Sequence, residues 1–272
     1  MKLSLPIKLG IGVILLFTAV IAGMVFYKPI LKLWKGSRQK SGIIHIRDDF
    51  SDGKLDGRLG CDTAGDCTIK ETAESGVLRI DTGSRPSNAG IVYAKKPLDI
   101  SKPITIKHRC RIKGAGGLHA WLALEIRQKT GPPECTGFEV LQRQQRICVA
   151  VRSSGEYQIG YWNNNNRGIH WDKAKKKWST NTAIGFETDI SVFHLIEFHS
   201  DKNGWYIVIK DKNGSILTRT SPVPWLKVKQ SNEDYWFFFG IDCTDYFHGD
   251  GESDYIDIEF TPGKSKGPEK RR

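Results

Sequence analysis

The stretch FHSDKNGWYIVIKDKNG, residues 198–214, gives the clearest fold signal in this chain of 272 residues. The tetrapeptide DKNG occurs at 201–204 and again at 211–214, and each Asn-Gly pair can supply the positive φ that a tight hairpin turn requires. The ten-residue spacing leaves six residues between the two turns, which is a common strand length. We therefore predict an antiparallel meander whose middle strand is WYIVIK, residues 205–210.

Alternation of apolar and polar side chains continues through the rest of residues 43–260, in segments separated by turn-forming residues. No amphipathic helix longer than two turns stands out, and strands do not alternate with helices, which argues against a parallel α/β sheet. We predict an all-β fold, a two-sheet antiparallel jelly-roll sandwich, formed as one domain by residues 43–260.

The N-terminal region has the composition of a membrane helix. Residues 9–27, LGIGVILLFTAVIAGMVFY, are 19 uncharged residues between Lys8 and Lys28. At about 1.5 Å per residue a helix of this length spans roughly 28 Å, enough to cross the hydrocarbon core. The run ends without a small-x-small cleavage site, so we predict one transmembrane signal-anchor helix, with a cleaved signal peptide as the alternative. A short basic N-terminus, 1–8, precedes the helix, and a basic linker, 28–42, follows it.

The net charge of +11 resides in the two ends of the chain. Residues 1–40 contain seven basic and no acidic residues, and the tail 261–272, which we expect to be disordered, contains five basic and one acidic. The region between them holds 29 basic and 29 acidic residues and is neutral. A neutral domain lacks the cationic surface that phosphate backbones require, so we expect no nucleic-acid partner.

Two features disagree about the side of the membrane on which the domain lies. The flank after the helix is more basic than the flank before it, which favours a cytoplasmic domain. The six cysteines all lie within the domain, and an even number is typical of an exported protein with disulfide bonds. We give the cysteines more weight and predict a single-pass membrane protein whose domain is extracytoplasmic, either periplasmic or at the cell surface.

The six cysteines permit fifteen disulfide connectivities. The most economical set is Cys61–Cys67, Cys135–Cys148 and Cys110–Cys243, and buried free thiols are the alternative. Zinc coordination would need two tight Cys/His pairs, but the sequence has no C-x-x-C and no H-x3-H.

Three short segments carry a family resemblance. The domain opens with IIHIRDDFSDGKLDGR at 43–58, continues with GVLRID at 76–81 and closes with SDYIDIEF at 253–260. These segments resemble the concanavalin A-like lectin/glucanase jelly rolls of bacterial membrane-anchored or surface proteins, and residues 198–214 are similar to a hairpin of that superfamily, with Asn213 where Asp is commoner. The resemblance implies a lectin, a glycosidase or an adhesion module, because this fold hosts all three.

The segment YIDIEF, residues 255–260, tests the glycosidase possibility. Laminarinases and lichenases of that superfamily carry E-I-D-I-E-F, in which one glutamate is the nucleophile and the other the general acid. Asp257 and Glu259 match, but Tyr255 stands at the nucleophile position, and a phenol with a pKa of about 10 does not replace that carboxylate without an activating partner. We predict a non-catalytic final strand that pairs near the first strand, with a glycoside hydrolase-like enzyme using this degenerate motif as the alternative.

The stretch YWNNNNRGIHWDKAKKKW, residues 161–178, is the strongest candidate for a ligand site. Sugars stack their apolar C–H face on aromatic rings, while amides and carboxylates hydrogen-bond the hydroxyl groups. The alternative is a hairpin whose tryptophans cover the edge of the sandwich, in a domain with a structural or protein-adhesion role. We predict binding of a carbohydrate or other cell-surface polymer by Tyr161, Trp162, Asn163, Asn165, His170, Trp171 and Trp178.

Residues 231–260 are strongly acidic, with nine carboxylates and no Lys or Arg. Ca²⁺ takes six to eight oxygen ligands of this kind. A structural Ca²⁺ that joins the first strand to the last, with Asp49 and Asp257 as ligands, is therefore the one cofactor the sequence suggests. The alternative is that basic residues of segment 102–113 neutralise these carboxylates without a metal.

Overall fold

The computed structural model describes residues 42–83, 88–115, 124–129, 133, 135, 146–151, 155–162, 168–181, 185–227, 234–243 and 249–263. Contacts divide the chain between Ile43 and Ile44, and all described strands belong to the unit that begins at Ile44. A short 3-10 helix lies at Trp225–Lys227. The strands are β1 (Ile44–Asp48), β2 (Leu59–Ala64), β3 (Thr68–Thr72), β4 (Val77–Asp81), β5 (Asn88–Ala94), β6 (Ile104–Ala115), β7 (Leu124–Lys129), β8 (Arg146–Val151), β9 (Glu156–Trp162), β10 (Gly168–Asp172), β11 (Lys177–Ser179), β12 (Phe186–Glu187), β13 (His194–Ser200), β14 (Trp205–Lys210), β15 (Ile216–Arg219), β16 (Asp234–Cys243) and β17 (Gly249–Phe260).

The strands form two sheets, and the pairs between described strands are antiparallel. Sheet A has the order β15-β14-β13-β6-β17-β4-β3, with β1 also paired to β17. Sheet B has the order β11-β10-β9-β8-β7-β16-β5-β2, with β12 also paired to β9. The predicted all-β architecture of two antiparallel sheets is therefore confirmed.

The meander predicted from the repeated DKNG is strands β13, β14 and β15, with β14 in the middle. At the second turn Gly214 has the expected positive φ of 84°. At the first turn the reason for glycine is different, because a Cβ on Gly204 would lie 2.3 Å from the carbonyl oxygen of Val223. Close approach of a neighbouring backbone, rather than a left-handed conformation, therefore requires glycine at position 204.

Alternate residues of each strand fill the space between the sheets. Ile106 and Ile258 of sheet A and Phe237 and Phe239 of sheet B are at most 1% exposed. Burying a side chain of this size contributes roughly 1.5–3 kcal/mol to folding, so these inner faces supply the main stabilisation. The outward-facing residues of each sheet are then available for other roles.

The last strand joins the first, as predicted. Ile44 pairs with Phe260, and Asp48 pairs with Ile256. Strand β17 also pairs with β6 and β4, so it is an interior strand of sheet A. A register shift between Ser253 and Tyr255 bulges β17 at Asp254.

The predicted transmembrane segment 9–27 lies outside the described residues, together with residues 1–8 and most of the linker 28–42. Within the described part of the chain no helix has the length and apolarity needed to cross a membrane. Of the predicted basic tail, residues 261–263 are described, and Thr261 accepts a backbone hydrogen bond from Asp99. These first residues of the tail therefore extend the fold.

Candidate functional site

Strand alternation divides the aromatic stretch 161–178 between the two faces of sheet B. Tyr161, Trp171 and Trp178 pack with the core between the sheets. Trp162 lies on the opposite, outer face, where its ring meets His170 edge-on. The predicted ligands Asn163 and Asn165 lie outside the described residues.

The inner group joins the two sheets. Tyr161 is 5% exposed and Trp171 is 4% exposed. The indole N–H of Trp171 donates to Thr218 Oγ1 on sheet A at 3.0 Å, and the indole N–H of Trp178 donates to the Ser221 carbonyl at 3.1 Å. Burial leaves Tyr161 and Trp171 no ring face for stacking on a sugar, so both are removed from the predicted set. These inner rings instead cover the edge of the sandwich, which was the alternative interpretation of this stretch.

The outer group forms a small surface that we call the Trp162 surface, made of Arg146, Gly160, Trp162, Gly168 and His170. Trp162 is half-buried, and the Arg146 guanidinium carbon lies 4.1 Å from its ring centroid. The His170 ring is perpendicular to the indole, with 5.2 Å between the two centroids. Arg146 and Gly168 both pair in register with Trp162, and Gly160 pairs with His170.

The two glycines of the Trp162 surface make room for its rings. A Cβ on Gly168 would lie 2.6 Å from His170 Nε2 and 2.9 Å from Trp162 Nε1. A Cβ on Gly160 would lie 3.0 Å from His170 Nδ1. Because both distances at Gly168 are shorter than real Cβ contacts, glycine at this position allows the rings to lie against the sheet.

An apolar cluster continues across the outer face of sheet B from the Trp162 surface. Phe238, Ile91 and Cys148 are buried there together with Cys135, which belongs to the connection between β7 and β8. The backbone N–H of Cys135 donates to Asp62 Oδ2 of β2 at 2.7 Å. Cys135 therefore contacts the edge strand β2 and packs on this part of the outer face.

The outer face of sheet A consists largely of ion pairs between neighbouring strands. Glu252 contacts Arg111 at 2.6 Å and Lys113 at 2.5 Å. Burial raises the pKa of Glu252, but the hydrogen bonds and charges of Lys113 and Arg111 outweigh burial and hold this pKa below its ordinary value. Ion pairs between strands also join Asp250 to Arg79, Asp254 to Arg109 and Glu197 to Lys210.

These ion pairs account for much of the acidic segment in which the sequence suggested Ca²⁺. Asp257 instead contacts His45 Nε2 at 2.7 Å and accepts a hydrogen bond from the Tyr255 hydroxyl at 2.8 Å. Asp49 is exposed and accepts hydrogen bonds from the hydroxyl and the backbone N–H of Ser51. No three His, Cys, Asp or Glu side chains of the described residues are placed to hold a metal ion. The described residues therefore do not form the predicted Ca²⁺ site, because Asp49 and Asp257 face different partners. The predicted alternative, neutralisation by basic residues of segment 102–113, is found for Glu252 and Asp254.

A groove on sheet A was not anticipated from the sequence. It has a volume of about 440 Å³ and lies beside the 201–204 turn, with Thr105, Asp201 and Asn203 among its lining residues. Tyr206 lines it as well and stacks on His199, with 5.1 Å between ring centroids. The sequence did contain a signal for this stacked pair, because the 201–204 turn sets the register in which His199 and Tyr206 are cross-strand neighbours.

Comparisons with known proteins bear on the fold. No protein-family model and no curated protein matches the sequence. A seed lectin from Lotus tetragonolobus is similar in structure, with a TM-score of 0.53 and 11% identity over 81% of this chain and 100% of the lectin. The apo Crh5 transglycosylase has a TM-score of 0.52 and 11% identity, over 81% of this chain and 86% of its own. The cellulose-induced protein Cip1 has a TM-score of 0.51 and 16% identity, over 78% of this chain and 96% of its own.

The fold is a concanavalin A-like jelly roll. The resemblance inferred from the opening, middle and closing segments is confirmed at the level of the fold. At 10–16% identity the similarity establishes architecture only, so function has to be argued from the side chains of this chain.

Tyr255, Asp257 and Glu259 of the degenerate YIDIEF segment lie on the outer face of sheet A, and the residues between them face the core. Burial, together with the hydrogen bond to Asp257, raises the pKa of the Tyr255 phenol above its ordinary value, which keeps the phenol protonated. The Arg47 guanidinium lies 5.6 Å from the Tyr255 ring centroid. Tyr255 is therefore part of a network that links β17 to β1, and a protonated phenol is a poor nucleophile.

Polar residues inside the sandwich have structural partners. His108 lies 2.7 Å from Ser253 Oγ, and His194 lies 3.0 Å from the Tyr157 hydroxyl. Burial raises the pKa of the nearby Cys110 thiol to about 12. These groups are buried between the sheets, and a protonated thiol is not a nucleophile at neutral pH.

The described residues form none of the three predicted disulfide bonds. Cys61 is exposed on the edge strand β2, whereas Cys67 is buried in the core, with its sulfur against Gly90. Cys110 is a buried thiol rather than a partner of Cys243. Sequence spacing did not reveal that Cys61 and Cys67 occupy such different environments. Cys135 and Cys148 lie in one buried cluster, but no disulfide bond joins them.

Proposed function

We propose that this chain is a non-catalytic carbohydrate-binding protein and that its binding site is the Trp162 surface. The observation that carries the proposal is a half-buried indole on the outer face of a sheet, with a guanidinium above it and an imidazole beside it. Such a ring can stack on a sugar, and polar groups next to it can bind the hydroxyls. The fold supports the proposal, since a seed lectin and a transglycosylase share it.

The proposed site retains three of the seven predicted residues as ligand contacts. Trp162 supplies the stacking ring, and the buried His170 packs against the edge of that ring and supports it. Asn163 and Asn165 follow Trp162 directly in the sequence and are proposed to hydrogen-bond sugar hydroxyls. Trp178, which is partly buried with its N–H engaged by Ser221, is proposed to support the site from the inner face.

The absence of catalysis is part of the proposal. Among the described residues, the groups that resemble catalytic sets are the Tyr255–Asp257 network and the buried histidine pairs, and their partners are structural. We expect no release of reducing ends when the protein is incubated with a glycan that it binds. Release that Asp257→Asn abolishes would instead favour the glycoside hydrolase-like alternative.

We further propose that residues 9–27 anchor the chain in the membrane and hold the sandwich on the extracytoplasmic side. The support is the length and apolarity of that segment and the six cysteines of the domain. Protease added to sealed, right-side-out membrane vesicles should digest the sandwich. Protection in these vesicles, with digestion in inverted ones, would place the domain in the cytoplasm, as the basic flank suggests.

The decisive experiment for binding is a glycan-array screen of the full chain in detergent, followed by affinity measurements on the best ligand. Trp162→Ala should weaken binding by about 1–3 kcal/mol with little change in melting temperature, because a stacking ring at a surface contributes more to binding than to the core. Tyr206→Ala is the matched control, since Tyr206 is a half-buried aromatic residue on the outer face of the other sheet. A chain that binds no glycan, or full affinity in Trp162→Ala, would overturn the proposal.

A further inference from the structure

We propose that the ligand of the Trp162 surface is an acidic polysaccharide, one whose carboxylate or sulfate groups pair with Arg146. The inference rests on the proposed function, because it names the substrate class of the same site. It is carried by the environment of Arg146, a cation on the outer face of sheet B to which the described part of the chain offers no counter-ion.

Arg146 is held in one place by its packing. It begins β8 and pairs in register with Trp162 of β9, so its side chain and the indole are cross-strand neighbours. The guanidinium carbon lies 4.1 Å from the indole centroid, a cation–π contact. A guanidinium stacked in this way still has N–H groups at its edge, and their planar fork matches a carboxylate or sulfate oxyanion.

No described residue neutralises Arg146. Its Nε is buried and has no hydrogen-bond acceptor within the described part of the chain. A buried donor without an acceptor destabilises the folded protein, and more so when the group is charged. By contrast, Arg79, Arg109 and Arg111 on sheet A each contact a carboxylate of β17 at 3.2 Å or less.

Other stacked arginines do not share this environment. Arg219 lies 4.6 Å from the Tyr206 centroid, and Arg47 lies 5.6 Å from the Tyr255 centroid. Both are exposed, so water can hydrate their N–H groups, whereas the Nε of Arg146 is buried. Aromatic stacking therefore does not set Arg146 apart, and its distinguishing feature is a positive charge with no counter-ion among the described residues, which a ligand oxyanion at the edge of the guanidinium would supply.

The neighbouring indole determines that the anion belongs to a sugar. A free oxyanion would use the guanidinium but not the aromatic ring, whereas a uronic acid or sulfated sugar has an apolar face for the ring and an oxyanion for the cation. The folded region 41–260 has no net charge, so it does not attract polyanions in general. Specific pairing at one arginine is the distinguishing property of the proposed site.

The test uses two pairs of polymers that differ in charge alone. Polygalacturonate is compared with its methyl ester, and dextran sulfate with dextran, which separates carboxylate from sulfate as the source of the anion. Binding to the full chain in detergent is measured by calorimetry for the unaltered protein, Arg146→Gln and Arg146→Lys. Arg219→Gln is the matched control, because it removes an equal charge from an arginine stacked on an aromatic ring of sheet A.

The unaltered protein should bind at least one acidic polymer roughly tenfold or more tightly than its neutral partner, and Arg146→Gln should remove that preference. Arg146→Lys should restore only part of it, because the bidentate fork is lost. Melting temperatures show whether each variant folds. If Arg146→Gln does not fold, the polymer preference of Arg146→Lys tests the inference instead. Equal losses in Arg146→Gln and Arg219→Gln would assign the preference to the overall charge of the protein and overturn the inference.

Failure of the inference is distinguishable from failure of the proposed function. If neutral and acidic polymers bind equally and Arg146→Gln changes neither, the inference is overturned while carbohydrate binding stands. If no polymer and no array glycan binds, the proposed function is overturned as well. Binding of an acidic polymer that Arg146→Gln leaves intact and Trp162→Ala leaves intact would place the anion elsewhere on the chain and refute both.

Discussion

The outer faces of the two sheets differ in how they balance charge. On sheet A the carboxylates of β17 and β13 contact cations on the same or neighbouring strands, as Glu252 does with Arg111. On sheet B, Arg146 lies on Trp162 with its Nε buried and without an acceptor among the described residues. The charges of sheet A are neutralised within the sheet and need no ligand. A partly buried cation without a counter-ion is unfavourable, and an anionic ligand would neutralise it. Local charge balance, rather than charge density, therefore points to the binding face.

The density of charge alone points to the wrong face. The most acidic stretch of the chain is 231–260, and this density suggested Ca²⁺. Strand β6 lies beside β17 in sheet A, and its Arg109 and Arg111 meet the acidic side chains of the bulged segment. The sequence offered this neutralisation by segment 102–113 as the alternative to Ca²⁺, and the strand order decides between the two.

The largest effect that we expect compares the two faces of sheet B. Trp171→Ala should lower the free energy of unfolding by about 3–5 kcal/mol, because it empties a buried site and leaves Thr218 without its donor. Trp162→Ala should cost less than half as much, since its ring is only half-buried. Urea unfolding of both variants measures the difference. Equal losses would show that Trp162 belongs to the core and would remove it from the proposed surface.

The next effect tests the self-neutralised face of sheet A. Glu252→Gln should lower the free energy of unfolding by about 1.5–3 kcal/mol at pH 7, because the side chain is 5% exposed and has two cationic partners. Since its folded pKa lies below the ordinary value of about 4.5, this stabilisation is present above pH 4.5 and is lost as the pH falls through the folded pKa. Unfolding at pH 7 and at pH 3 should therefore show the variant and the unaltered protein converging in acid.

The control for this effect is Glu259→Gln, an exposed residue of the same strand. It should change the free energy of unfolding by less than about 0.5 kcal/mol at either pH. A loss at Glu259 as large as that at Glu252 would mean that the ion pairs of sheet A do not account for the stability of this face.

A smaller effect tests the room that glycine makes on sheet B. Gly168→Ala should cost about 1–2 kcal/mol, because its Cβ would meet His170 and Trp162 at distances that force a shift. Gly57→Ala is the control, since no atom lies within 4 Å of the Cβ position there. Tryptophan fluorescence of Gly168→Ala should also change as the Trp162 ring moves. If both variants match the unaltered protein, the packing of rings over glycine is not the basis of the Trp162 surface.

The smallest effect concerns the groove on sheet A. Tyr206→Ala should leave glycan affinity unchanged within twofold and lower the free energy of unfolding by about 0.5–1 kcal/mol through the lost stack on His199. Calorimetry with the best array ligand measures the affinity. Loss of binding in Tyr206→Ala, with full binding in Trp162→Ala, would move the site to sheet A and reverse the comparison.

Much of the fold could be predicted because strands and hairpins leave local signals. The repeated DKNG located the meander, and the matching patterns at 43–48 and 255–260 led to the pairing of the first and last strands. The same alternation predicts that the adjacent residues Tyr161 and Trp162 face opposite sides of the sheet. Which of the two faces the core is known only from the structure. Composition identified the right stretch of the chain without saying which of its rings were buried.

The remaining errors concern contacts between residues distant in sequence. The charge partners of Glu252 are about 140 residues away in the chain, and Cys61 is separated from Cys67 by burial although they are close in sequence. The sequence did not single out Arg146. Its importance lies in the lack of a counter-ion among the described residues, which can be recognised only when its neighbours in the fold are known. Local patterns therefore predicted the architecture, and the balance of charges across strands had to come from the structure.

The central position of β17 has a consequence for the order in which the protein can assemble during synthesis. It is the last of the described strands to leave the ribosome, yet it joins three pieces of sheet A: the run from β6 to β15, the hairpin of β3 and β4, and β1. Until residues 249–260 emerge, each piece presents an unpaired strand edge that can associate with another chain. Sheet A therefore closes after translation of its last strand, through contacts of long sequence separation that make folding slow.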